Sequence, residues 1–273
     1  MVNLFDIRYL RIGTPNLDAA IDFATRIVGL QLVGREGKAA YFRSDKPKVR
    51  GDTRDHTLVY FEGDPSDHVA AFDILDRDAL DNVAAEIEAA GHPVHWGTTE
   101  ECELRRVKNF IAFKDPTGNK LEIVVKPFHT GTRYFPTRDA GITEFSHIGL
   151  RTSNAARDEA FWTRLMNARV SDWIGDAPLL RINTIHHSLA LFPSATPGVQ
   201  HINHQVEDID DIMRSYYFLK EKGVKIVIDP KALGTQAAFA EETLAFIDWL
   251  RQSPPAPGTD GVLQTYYFSN VRA

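Results

Sequence analysis

Apolar positions along this chain fall into short alternating runs that give way, four times over, to stretches with helical spacing. The first run covers residues 5–14 and leads into a segment where Leu17, Ile21, Ala24, Ile27 and Val28 share one helical face. Asn16 stands at the place of an N-cap and Gly29 at the place of a helix stop. Short β-type runs follow at 38–42 and 56–61. A second round opens with a strand at 68–75 and continues through a helix carrying Leu80, Val83, Ala84, Ile87 and Ala90. It closes with strands at 109–113 and 120–126, joined by Asp115-Pro116-Thr117-Gly118, which has the residues of a tight reversal.

The stretch 128–140 contains Gly131 and Pro136, has few apolar residues and reads as a linker. Beyond it the pattern returns. A strand is expected at 145–152, a helix through Phe161, Leu165 and Met166, and strands near 179–182 and 188–192. The last round has a strand at 201–206, a helix carrying Ile209, Ile212, Met213, Tyr216 and Leu219 up to Gly223, and a strand at 224–228. Regularity then fails: 236–251 reads as an amphipathic helix, with a strand at 243–247 as the alternative, and 253–258 as an irregular loop. Residues 260–268 parallel 117–123, which puts Thr265 where the first half has Glu122. Tyr9 and His147 lie 138 residues apart and His68 and His201 lie 133 apart, nearly a constant offset. Such self-similarity predicts a duplicated architecture of class α+β. Two domains are expected, 1–130 and 141–273.

Composition narrows the function. The 273 residues are 43% hydrophobic and 25% charged, with a formal charge of −6 and no basic stripe, which argues against nucleic acid and anionic membrane as partners. No apolar run approaches the roughly 18–20 residues that span a bilayer. Cys102 is the only cysteine, and residues 1–6 lack the basic region and apolar run of a signal peptide, so a cytoplasmic location is expected.

The chemistry rests on histidines. His147 and His201 stand at matching strand starts of adjacent repeats, and neutral imidazole is a common ligand of divalent transition metals. Two histidines and a carboxylate on one face mark non-haem iron(II) oxygenases. The two imidazoles are expected in one cavity with nitrogens roughly 3 Å apart, as two ligands of one ion require. His204 should face away from His201, and His186 and His187 should face opposite sides of the strand they open. By spacing, His187 is the one expected at the site. Tyr9, His68 and Glu122 could form a residual site in the first half. Phe161, Trp173, Tyr266 and Tyr267 are available to line a pocket.

The motifs Phe145-Ser146-His147-Ile148-Gly149-Leu150, Gln200-His201-Ile202-Asn203-His204-Gln205-Val206-Glu207 and Asp115-Pro116-Thr117-Gly118-Asn119-Lys120-Leu121-Glu122 resemble those of the vicinal oxygen chelate superfamily. Within it, the chain resembles the two-domain type I extradiol ring-cleaving dioxygenases, over residues 3 to 229 and poorly beyond. The resemblance implies four βαβββ modules, two per domain, forming cupped mixed sheets. It implies iron(II), or manganese(II), held by His147 and His201, and a catechol-like substrate opened with O2. His187 would then be the catalytic base, and a homo-oligomer is expected. The family's third ligand is a glutamate at the position of Thr265, so the site should hold metal weakly unless Glu241 or Glu242 replaces it. The alternatives are an aromatic-ligand or antibiotic-binding protein of the same fold, and a metal-dependent isomerase or lyase of the superfamily.

Overall fold

The computed structural model describes residues 1–44, 54–76 and 79–226 in full, and the backbone of 263–267. The first half runs β1 (Leu4–Thr14), α1 (Leu17–Asp22, continued by a π-helical turn over Phe23–Val28), β2 (Gln31–Glu36), β3 (Ala39–Arg43) and β4 (Leu58–Glu62). It goes on with β5 (His68–Ile74), α2 (Leu80–Ala89), β6 (His95–Trp96), α3 (Thr99–Arg105), β7 (Val107–Lys114) and β8 (Lys120–Pro127). The second half runs β9 (Ile142–Thr152), α4 (Ala155–Arg164), β10 (Arg169–Ile174), β11 (Ala177–Arg181), β12 (Leu189–Pro193), β13 (Val199–Val206), α5 (Ile209–Glu221) and β14 (Leu263–Tyr267).

Each half forms one mixed sheet, ordered β2-β3-β4-β1-β5-β8-β7-β6 and β10-β11-β12-β9-β13-β14. At the centre of each, the opening strands of two modules pair antiparallel, β1 with β5 and β9 with β13. Each of these four strands has a parallel neighbour on its other side: β4, β8, β12 and β14. The repeat read from the sequence is thus the repeat of the fold.

Local signals explain most of the elements. The Asn16 side chain accepts from the Ala19 N–H at 3.0 Å, and Gly29 ends the following turn at φ +96°. The differences lie at exposed edges. Strands β2 and β10 are half-exposed and lack apolar alternation, so no run marks them in the sequence. Helix α3 buries only Cys102 and is set by a capping box between Thr98 and Glu101. Residues 224–226 carry no strand, against expectation; the remainder of that strand and the 236–251 helix lie outside the described residues.

One face of each sheet and the helices build a single hydrophobic core. Ile7, Phe72 and Ile111 of the first half join Ile148, Leu150 and Trp162 of the second. The Trp162 ring is fully buried, edge-on to Phe72 at 5.4 Å. At one end the β7–β8 turn docks on the second half. Buried Asn119 donates to Arg151 O at 2.9 Å and accepts from Gly198 N at 2.8 Å, while Thr117 accepts from Ser153 N at 3.0 Å. The opposite faces of the sheets form two cups.

Candidate metal centre

His147 on β9 and His201 on β13 leave the central strands of the second sheet on its cup face, because Ile148, Leu150 and Ile202 alternate with them into the core. Their Nε2 atoms approach to 3.0 Å, with the rings at 86°. Burial pushes His147 well below the ordinary histidine range and His201 down to about 3, with neighbouring histidines adding to both shifts. Both rings are therefore neutral at pH 7, the form that ligates metal. A separation of 3.0 Å suits two nitrogens that each lie about 2.1 Å from one ion, at roughly a right angle. These two donors fit a divalent transition metal.

His187 is buried beside them, its ring 4.1 Å from that of His147. Burial, reinforced by His186, lowers its pKa to about 4, with Asp172 pulling upward. The expected separation of His186 and His187 does not occur. Both precede β12 rather than belonging to it, so strand alternation does not apply, and their Nδ1 atoms lie 3.0 Å apart. His204 does face the other way, edge-on to Phe145 of the core. Phe161 lies in the core against Trp162, and Trp173 is exposed on the edge strand; neither lines the cup. The side chains of Tyr266 and Tyr267 lie outside the described residues.

Strand register relates the two cups residue by residue. Tyr9 pairs with Ala71 and Ala71 with Glu122; His147 pairs with Asn203 and Asn203 with Thr265. Tyr9 thus corresponds to His147 and Glu122 to Thr265. Gly149 pairs with His201 where Arg11 pairs with Val69, so the counterpart of His201 is Val69. His68, one residue earlier, turns to the opposite face and binds Ser66 O at 2.9 Å through Nδ1. The residual first-half site expected from Tyr9, His68 and Glu122 therefore loses His68.

In its place stands an arginine with no sequence motif to mark it. Tyr9 donates to Glu122 Oε2 at 2.7 Å and Arg105 Nε donates to Oε1 at 2.7 Å. Arg11 and Tyr41 both donate to Leu104 O at 3.0 Å, which fastens α3 across the cup. The first cup is filled. In the second, Gly149 replaces Arg11, Leu179 replaces Tyr41 and Ala190 replaces Val59. Ala177, Leu179, Ala190 and Phe192, with Ile174 packed against them, form an apolar cluster on this face. Among the described residues no third histidine, cysteine or carboxylate completes a metal cluster.

The sequence is 27% identical over 239 residues to an iron-dependent extradiol dioxygenase of Rhodococcus jostii, covering 77% of this chain and 75% of the relative. It is 29% identical to a 3-methylcatechol 2,3-dioxygenase of Pseudomonas putida, covering 76% and 75%. The crystal structure of the Mn(II)-bound glyoxalase from Novosphingobium aromaticivorans superposes with a TM-score of 0.71 at 27% identity, covering 83% of this chain and 74% of that one. Residues 6–123 and 144–243 match the sequence pattern of the Glyoxalase/Bleomycin resistance protein/Dioxygenase superfamily. With that match over most of its length and a duplicated cup around two converging histidines, the chain belongs to that superfamily.

Proposed function

We propose that the protein is an extradiol-type dioxygenase whose second cup binds one divalent ion, iron(II) or manganese(II), and a catechol-like aromatic diol that is opened with O2. The observation that carries this reading is the 3.0 Å approach of His147 Nε2 and His201 Nε2 inside a buried cup. The iron-dependent and Mn(II)-bound relatives, and the one named for 3-methylcatechol, support the metals and the substrate class.

A metal at this place supplies a Lewis acid for the diol oxygens and a meeting point for O2. The chain's own residues do the rest. His147 and His201 present neutral nitrogens to a single point. His187 stands beside that point uncharged, ready to take a proton from a diol hydroxyl. Ala177, Leu179, Ala190 and Phe192 offer an apolar wall to the ring. The free, buried Cys102 fits a reducing cytoplasm. Assembly into a homo-oligomer is part of the same reading, and a single-chain mass by light scattering would remove that part.

One observation favours a second reading, an aromatic-ligand-binding protein of low turnover. Register places Thr265, a neutral residue, at the strand position of Glu122. Anaerobic loading with iron(II), followed by catechol and 3-methylcatechol in air, separates the two. Yellow ring-opened product that disappears in His147→Ala and His201→Ala supports the enzyme. Catechol binding without product supports the second reading, and metal uptake equal in all three proteins removes the first.

A further inference from the structure

Gly149 in the second cup has its role in what it lacks. It lies on β9 directly opposite His201 on β13. Opposed residues of an antiparallel pair project from the same face, so their side chains compete for the same space. Here the His201 ring takes most of it, with the Phe192 edge beside it. A Cβ at position 149 would fall 2.5 Å from His201 Nδ1, 2.6 Å from its Cε1 and 3.0 Å from Phe192 Cε2. The ring also meets Phe192, edge-on with centroids 5.2 Å apart. The imidazole is thus laid across the neighbouring strand, against a bare backbone and an aromatic edge, and this posture carries its Nε2 to His147.

Glycine inside a strand is disfavoured, because it adds backbone entropy to the unfolded chain and packs nothing. The backbone at Gly149 shows no left-handed conformation that would call for it. In the first half the same position holds Arg11, whose partner Val69 has no ring to accommodate. We infer that Gly149 is a positioning residue that sets the spacing of the two-histidine site by giving the His201 ring its seat. The inference rests on the metal-binding reading for its purpose, but the seat itself can be tested without metal.

The test is a double-mutant cycle of Gly149→Ala and His201→Ala, read by thermal midpoint of the metal-free proteins and by Co2+ affinity. If the glycine acts through the ring, Gly149→Ala lowers the midpoint in the parent, and more than half of that loss vanishes once His201→Ala has removed the ring. Gly149→Ala should also weaken Co2+ binding by roughly tenfold or more, as displacing a ligand's support does. If Gly149→Ala alone fails to fold, recovery of folding in the double variant is the expected result. An equal midpoint loss in both backgrounds, or no recovery, overturns the inference. A parent that binds no Co2+ defeats the metal-binding reading and leaves the metal-free cycle to decide the seat.

Discussion

His147, His187 and His201 are held uncharged chiefly by burial, so the cup presents nitrogen lone pairs rather than cations. His147→Ala or His201→Ala should cost more metal affinity than the ~10–100-fold lost when an outer-shell residue changes, with the fold kept by circular dichroism. Calorimetric titration with Co2+ checks this. Thr265→Glu should strengthen iron binding and raise catechol turnover, because it restores a carboxylate at the strand position of Glu122; an unchanged iron affinity would refute that placement. A fourth buried histidine, outside the metal centre, adds to the acid sensitivity. His56 is stacked on Tyr9 at 5.2 Å, and burial lowers its pKa to about 4 despite Asp55 beside it. Between about pH 6.5 and 4 the unfolded chain binds a proton at this ring that the folded chain refuses. Its contribution to stability is present above that window and falls by about 3 kcal/mol across it. In urea melts, His56→Phe should therefore lose less stability than the parent between pH 7 and 4.5.

Helix α3 and the strands show which elements leave a trace in the sequence. Central strands were legible because buried apolar residues alternate in them, and helices α1, α2, α4 and α5 because one face is apolar. Strands β2 and β10 were not, since their residues are only partly buried and follow no apolar alternation. Helix α3 was hidden because it is polar and capped by its own residues, with its role exercised through Arg105 and the Leu104 carbonyl. The two converging histidines could be read from the repeat, but His68 could not be excluded from it. An offset one residue too long moves a side chain to the other face of a strand, and only the hydrogen-bonded register resolves that. His186 and His187 misled for a related reason: alternation holds inside a strand and not in the segment before it. Arg105 tests the account of the filled cup. Arg105→Met should destabilise by about 3–5 kcal/mol, because it leaves the fully buried Glu122 with Tyr9 alone. A loss below 1 kcal/mol by chemical denaturation would mean that α3, not the ion pair, closes this cup.

Across the whole molecule, two copies of one sheet architecture have diverged in opposite directions around a shared core. The first cup holds Tyr9, Arg11, Tyr41 and Arg105; the second has the smaller Gly149, Leu179 and Ala190 at the matching positions, with the His201 ring over Gly149. The two halves are joined through the core around Trp162 and through the Asn119 seam. Asn119→Ala strips buried partners from Arg151 and Gly198 and should cost about 1–3 kcal/mol, with a single cooperative unfolding transition because the halves share one core. Metal chemistry should then belong to the second half alone. The most direct measurement is the stoichiometry and affinity of iron(II) in anaerobically purified parent protein, set against the His147→Ala/His201→Ala double variant. The account predicts one ion per chain in the parent, bound weakly for want of a carboxylate, and none in the variant. Equal iron in both proteins, or none in either at saturating metal, would contradict it.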